Sequence, residues 1–592
     1  MANLNAAGAG ARATDLTTFT IKVDGAKLPG TYSVIGVDIS REINRIPRAQ
    51  LVLYDGDAAR QNFDVSSGDL LIPGKTIEID GGYAMKENLL FKGVITGQRI
   101  SVKQRGDSLL HIDALDASFR LTLDRKSGYF TDLTDSDLFE EVIRRHPDLR
   151  PQVASTSATY REIVQYQVSD WDLIVTRAEK AGMYCLADNG MLRIEKPDLQ
   201  QKPVVTLTYG DNIFDLDLEL DSRSQYQKIT VSAWDHANQE VTTSDIDDVS
   251  SPSQGNIDGA TLAGVGAVEN YELRHSGRLE QQEIDAWAEA GMIKSRFSRI
   301  RGTVRLQGTE VVKPGVLVQL AGLGERFNGT AFVSGVRHIL GEGDWETTIQ
   351  LGLHPNWHHE RFEVNAPPAA GFHPTINGLH VGVVTQLQND PEGEDRILVR
   401  VPLINADDSG VWSRLATLDA GENRGTVFRP EINDEVIVGF INDDPNEPVV
   451  LGMLHSSSKP APISGSDDNH EKGLVTRSGM KIHFNDETPS TTIETPNGNK
   501  IVIDDSEGHI QLTDQTGNTV TMSSDGISME SLGDILLKAT GDVKIEGTNT
   551  SIKANASASL TATADVKIEG SSGATMKSGG VTEVKGSSVM IN

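Results

Sequence analysis

GHIQLTDQTGNTVTMSSDGISMESLGDILLKATGDVKIEG (508–547) sets apolar residues one apart in brief runs. A glycine or an Asp-Gly step closes each run, so that Gly508, Gly517, Gly526, Gly533 and Gly541 stand seven to nine residues apart. The hexapeptide DVKIEG occurs twice, at 542–547 and 565–570. A short repeat of this kind is the signature of a solenoid. Each such strand buries one narrow face, and aromatic residues all but vanish after Phe484, so a single copy has little core to offset the entropy of ordering it. Three copies wrapped together would enclose one. Residues 472–592 are therefore expected to form an intertwined trimeric β-helix, with Val, Ile, Leu and Met toward the axis and Lys, Asp, Glu, Ser and Thr outside. About 120 residues at about eight per strand give about fifteen layers, or roughly 70 Å of rod at the spacing of paired strands.

Working outward, HSSSKPAPISGSDDNHE (455–471) is rich in Ser, Pro, Gly and Asp and reads as a linker over 456–471. Before it come HVGVVTQLQ (380–388), RILVRVPL (396–403), VWSRLAT (411–417), DEVIVGFI (434–441) and PVVLGML (448–454), separated by turn clusters such as NDPEGED (389–395). Five or six short strands so spaced suit a small closed barrel of OB-fold type over 367–455. Residues 15–366 read as an α+β region with barrel-like parts. FTIKV (19–23), AQLVLYD (49–55), TIEID (76–80) and LLHIDAL (109–115) alternate as half-buried strands. Helical period appears over 134–147, over 169–182 and near 280–297, and strands resume at TVRLQ (303–307) and VLVQLAG (316–322). In the second helix Ser169 is the N-cap, Trp171, Ile174, Val175 and Ala178 form one apolar face, and Gly182 stops it. DIDDVSSPSQGNIDGATLAGVGA (245–267) is read as a long surface loop, and residues 1–14 as a flexible N-terminus. The fold class is mixed and mainly β.

A formal charge of −30 and a pI near 4.8 exclude nucleic acid and stable membrane binding as equilibrium partners, because phosphates would be repelled. One cysteine, Cys185, makes neither an internal disulfide nor a thiolate metal cage, and reads as a small buried residue. The N-terminus lacks the apolar stretch of a secretory signal, and no run of 18 apolar residues occurs, so synthesis in the cytoplasm is expected.

Catalytic and cofactor chemistry finds little support. GDLLIPGKT (68–76) has its glycines one residue too far apart for a phosphate loop and leads into a strand. His354, His358, His359 and Glu360 could ligate a metal, but their spacing matches no standard site and a locally hydrogen-bonded turn is the simpler reading. The pairs Asp443 and Asp444, and Asp407 and Asp408, are adjacent in turns, where Asp caps backbone amides. Adjacent carboxylates cannot flank a glycosidic bond. No catalytic residue, cofactor or metal is assigned, and the chain is expected not to be an enzyme.

The order of parts resembles the VgrG-like central spikes of contractile injection systems, whose hub, barrel and needle correspond to the hub and cell-puncturing proteins of contractile phage tails. VWSRLATLDAGENRGTVFRPEINDEVIVGFINDDPNEPVVLGMLHSSSKPAP (411–462) carries the likeness most specifically, from its Trp-x-Arg strand to its closing Pro-x-Pro. FKGVIT (91–96) and YREIVQYQVSDWDLIVTRAEKAGMYC (160–185) extend it into the hub. Asn423, Arg424 and Gly425 look closer to extracellular, phage-tail-like systems than to type VI secretion. The resemblance implies a homotrimer that punctures a target envelope, contacts inner tube and baseplate proteins through its hub, and accommodates effectors. It also implies a PAAR-repeat tip protein at the needle end, docked on Ser588, Val589, Met590, Ile591 and Asn592. Those residues read equally as a final core layer. The linker leaves no room for the muramidase of the phage protein, and the sequence stops at SSVMIN, so no covalent toxin is expected. The implied product is part of an assembled particle, delivered extracellularly or into the target envelope. The alternatives are an anchored type VI spike or a trimeric receptor-binding tail fibre.

Overall fold

The computed structural model describes residues 16–104 and 107–591. The expected flexible segment 1–14 lies outside the described residues, as does Asn592. Alternating burial builds the first region: along Thr76–Tyr83, Ile77 and Ile79 point into the core while Glu78 and Asp80 stay at the surface. A thirteen-stranded sheet results. Its two halves come from opposite ends of the region and meet where Val34–Glu42 pairs antiparallel with Gly329–Gly341, Ile39 opposite His338. One core lies under the first half around Phe91, Leu51, Leu110 and Trp345, and a second under the other half around Val318, Val333 and Ile349.

Helices α1 (Asp135–Arg144) and α2 (Asp170–Lys180) pack on two smaller sheets, Arg125–Thr134 paired with Thr159–Ser169 and Met191–Glu195 flanked by Arg150–Val153 and Tyr184–Asp188, around a core of their own. Thr134 and Asp137 close a reciprocal cap on α1, and Leu138, Phe139, Val142 and Ile143 are buried on its inner face. Ser169 caps α2, its hydroxyl accepting from the Asp172 amide at 3.0 Å, and Gly182 follows the helix at a φ of 71°. The stretch 245–267, expected to be one long loop, contains helix α3 (Gly259–Gly266). Asp258 caps α3 by accepting from the Thr261 amide at 2.7 Å. Three glycines in GATLAGVG hide the helical period from sequence reading, and burial of Leu262 and Ala263 outweighs their low propensity. The long helix α4 (Gln281–Phe297) then buries Ile284, Ala288 and Met292. The short helix α5 (His358–Arg361) ends the region.

His380–Gln386, Ile397–Arg400, Val411–Leu415, Glu435–Phe440 and Pro448–Met453 close into a five-stranded barrel. Val384, Ile397, Val399, Val436, Val438 and Val450 fill its interior. Gly382 is required there by space, since a Cβ would lie 2.5 Å from the Val399 side chain. A separate two-stranded hairpin, Ala420–Gly421 with Arg424–Gly425, projects from the barrel.

The C-terminal region departs from the expected spacing. Seven strands of five residues, beginning at Glu471, Lys481, Ser490, Lys500, His509, Thr519 and Gly526, form one antiparallel meander that ends at Glu530. Their starts are nine or ten residues apart until the last, because each strand carries a hairpin turn of four or five residues in addition to its own five. Among the described residues no strand follows Glu530, and both DVKIEG repeats lie in that stretch.

Candidate functional site

The meander presents one apolar face, and its register makes that face continuous. Leu474, Ile482, Ile493, Ile501, Leu512, Val520 and Met529 stand directly opposite one another from strand to strand. Two residues along lies a second row, Phe484, Thr491, Ile503, Ile510, Met522 and Ile527. Positions i and i+2 share a face, so the two rows form one apolar surface. The residues between them, among them His483, Thr492, Gln511, Thr521 and Ser528, are mostly polar and take the opposite face. Nearly every large side chain of the two rows is exposed, and among the described residues none from 471 to 591 is buried. A trough of about 580 Å³ runs along part of this surface between Ile493, Ile501, Leu512 and Met529. Cross-strand apolar pairs stabilise a ladder, but a two-row face left in water is an interaction surface.

The sequence-derived docking residues are not gathered by the single chain. Val589 is 48%, Met590 91% and Ile591 90% exposed, and Ser588 is also exposed. No strand holds them, and Asn592 lies outside the described residues.

Of the three histidines only His358 turns inward, while His354 and His359 are exposed. The His358 amide donates to Glu179 Oε2 at 2.7 Å, and its ring Nε2 lies 2.8 Å from Asp172 Oδ1. The hydrogen bond from His358 is a main reason why Asp172, though burial opposes it, keeps its carboxyl below the usual range. His354 Nδ1 accepts from the Asn356 amide at 3.1 Å, and His359 is exposed. Among the described residues no group of three or more His, Cys, Asp and Glu side chains could hold a metal. Lys294 completes the arrangement, with Nζ 2.9 Å from Glu179 Oε1, 3.1 Å from the Asn356 carbonyl and 5.0 Å from the Trp357 ring centre. These bonds strap residues 354–362 across α2 and α4. The histidines are visible in the sequence, but the partners of His358, Asp172 and Glu179, are not, because they lie more than a hundred residues away.

The remaining candidates take ordinary structural roles. Cys185 is fully buried, and desolvation raises its thiol pKa. Thr76 of GDLLIPGKT opens a strand. Asp408 accepts from the Ser409 amide at 2.6 Å and Asp444 from the Asn446 amide at 2.9 Å. Arg424 reaches back to Asp419 at 2.6 Å and closes the hairpin that carries Asn423 and Gly425. No helix of the described residues is long and apolar enough to cross a membrane.

Two family profiles match the chain: the Alg8 N-terminal domain over residues 13–342, and the type VI secretion system/phage-baseplate injector OB domain over residues 380–455. The type VI secretion system spike protein VgrG1a of Pseudomonas aeruginosa is 30% identical over 83 residues, 14% of this chain and 13% of that protein. The actin cross-linking toxin VgrG1 of Vibrio cholerae is 26% identical over 157 residues, 25% of this chain and 13% of that protein. The chain thus spans about an eighth of the length of these curated relatives. A tail protein from Neisseria meningitidis superimposes on 58% of this chain and 98% of its own with a TM-score of 0.44 at 16% identity.

Proposed function

The chain belongs to the family of the Alg8 N-terminal domain and is a VgrG-like spike protein, and from that premise we propose that three copies form the central spike of a contractile injection apparatus. In this reading residues 15–366 are the hub, 367–455 the barrel, 456–471 the linker and 472–592 the needle. The hub seats inner tube and baseplate proteins, the needle concentrates force on the target envelope, and effectors travel with the assembly. The work is mechanical, with no catalytic step assigned to the chain.

The supporting observation is the two-row apolar face of the meander. Its register leaves eleven of its twelve apolar side chains between 36% and 69% exposed, all but Val520. Completing their burial is worth about 1 kcal/mol each, half the full transfer value, or about 10 kcal/mol per chain. Three such faces turned to a common axis close a core that one copy lacks, and the polar face remains outside. Wound together, they form the rod expected of an intertwined β-helix. Net charge opposes this association, since three chains carry 3 × −30 = −90. Burial must therefore outweigh long-range repulsion, and added salt favours the trimer.

At the far end of the needle, Ser588, Val589, Met590, Ile591 and Asn592 are the proposed seat of a PAAR-repeat tip protein, supported by the exposure of Val589, Met590 and Ile591. Negative-stain imaging of the purified protein tests the architecture. The expected particle is a three-fold body with a narrow axial rod, and compact particles without a rod overturn it. Deleting 588–592 is expected to abolish capture of the tip protein while the trimer persists. Unchanged capture places the seat elsewhere.

A further inference from the structure

The large hub sheet has two open ends. Its pairing order runs from Asp215–Leu220 to Thr17–Val23, ten strands counting both, and the hairpin strand Ala26–Lys27 lies beside only the last residues of Thr17–Val23. Ladder alternation tells which backbone groups of the two end strands are spent. The Ala84 amide donates to the Leu16 carbonyl at 3.0 Å. In step with it, Thr18 and Thr20 direct their backbone groups at Thr76–Tyr83, while Thr17 and Phe19 direct theirs outward. The Asp221 amide donates to the Arg299 carbonyl at 2.9 Å, so Asp215, Asp217 and Glu219 bond toward Ile300–Gln307 and Leu216, Leu218 and Leu220 point theirs outward. Among the described residues no hydrogen bond takes up these outward groups. An open edge of this kind is a template for another strand.

Each edge suits the other better than it suits a copy of itself. Neighbours along the path are antiparallel at every step and ten is even, so the two edge strands run in opposite directions. Rotation about an axis along the strands therefore sets the Asp215–Leu220 edge of one copy antiparallel to the Thr17–Val23 edge of the next. The apolar sides agree as well. A row of opposed residues, stepping two or four along a strand where needed, crosses the sheet from Ile21 through Ile79, Phe91, Ile39 and Val304 to Leu216. Such a row stays on one face, so Leu216 and Leu218 emerge on the same side as Phe19 and Ile21. On the other side Asp215, Asp217 and Glu219 form an acidic row, whereas Thr18, Thr20 and Lys22 include no acid. Two acidic edges would set carboxylate against carboxylate, so local charge selects the unlike edge even though whole chains repel at long range.

We propose that the hub closes as a ring in which Asp215–Leu220 of each copy adds to the open edge 17–20 of the next. This inference rests on the trimer reading above and names the segments that meet. Leu28 sets the register, because its amide donates to the Ile21 carbonyl at 2.8 Å and fills the outer side from there on. Leu216 then stands opposite Phe19 and Leu218 opposite Thr17, outward groups meeting outward groups. The same register sets Asp215 opposite Thr20 and beside Lys22 and Lys27, which pair directly across their hairpin. Lys27 has no ion pair among the described residues.

The test uses the full-length chain carrying Thr20→Cys with Asp215→Cys, treated with a mild thiol oxidant after light scattering has given its mass. Opposed residues that are not joined by backbone hydrogen bonds bring their Cα atoms to about 4.5 Å, within disulfide range. The expected result is a three-chain mass and a covalent three-chain band on a non-reducing gel, with about ten-fold less crosslinked product from either single variant. Cys185 is fully buried and common to all three samples. In the unsubstituted chain the Phe19 and Leu216 amides are expected to exchange about a hundred-fold more slowly than those of an open edge. A three-chain mass with only single-chain bands after oxidation, or with both amides exchanging as an open edge does, overturns the ring and leaves the trimer standing. Protected amides without interchain disulfides mean that another segment covers the edge, and overturn it too. A single-chain mass overturns both readings.

Discussion

The hub and the needle are both β-rich, yet they solve the problem of the core in opposite ways. In the hub Phe91, Phe139, Phe332 and Trp345 are fully enclosed by the chain's own sheets and helices. From residue 471 onward the same alternation of apolar and polar residues encloses nothing. The difference lies in layers. Hub strands have a second surface to pack against, supplied by helices or by another part of the sheet, whereas the meander is one layer thick. Alternation therefore specifies a strand and its faces, but only chain topology decides whether the apolar face is covered within one copy.

Substitutions separate the two regimes, and the largest effect belongs to the needle. Ile501→Asp with Leu512→Asp puts two directly opposed charges at the centre of the apolar ladder. The expected outcome is complete loss of the trimer by light scattering while the hub's thermal transition stays in place. A double variant that remains trimeric would mean that the ladder is not the buried surface.

Core truncation in the hub should do the reverse. Phe139→Ala removes a ring that is fully buried on α1 and is expected to destabilise the hub by about 3–5 kcal/mol in denaturant unfolding. Assembly through the needle should survive at temperatures where the hub remains folded.

Acid sharpens the contrast next. Burial, aided by the Arg41 charge, holds the His338 pKa down to about 3, and its Nδ1 lies 3.0 Å from Thr347 Oγ1. An unfolded histidine takes up a proton near pH 6.5. The folded state resists protonation, so the stability linked to His338 is complete above about pH 6.5 and is lost as pH falls toward 3. The hub should lose about 3 kcal/mol between pH 6.5 and pH 4, and His338→Gln should flatten the slope. A hub whose unfolding free energy is level between pH 6.5 and pH 4 contradicts this assignment.

The smallest effect tests local encoding. Ser169→Ala removes the α2 cap and should cost about 1 kcal/mol, read as a shift in the hub's midpoint without change in chain number.

Much of the hub could be read from sequence because its signals are local. TIEID (76–80) shows its alternation within five residues, and Ser169 and Gly182 bracket α2. The barrel was equally legible, its five strands each announced by an apolar run between turn clusters. Helix α3 was hidden because its glycines carry no periodic signal. The needle's turn spacing was misjudged because glycines mark only some of its hairpins. Others turn at Asp486–Pro489, where Asp505 donates its amide to the Pro489 carbonyl at 2.9 Å. The apolar face was foreseen by residue type but not by register, which depends on which strands pair. That Thr17–Val23 and Asp215–Leu220 are the two edges of one sheet left no trace in sequence, since only the pairing order puts them there.

Light scattering coupled to size exclusion, on the full-length chain at micromolar concentration, tests most directly whether the needle's apolar face is covered by other copies. A mass of about three times 64.0 kDa is the expected result. A well-folded species of 64.0 kDa, unchanged by added salt, would contradict it.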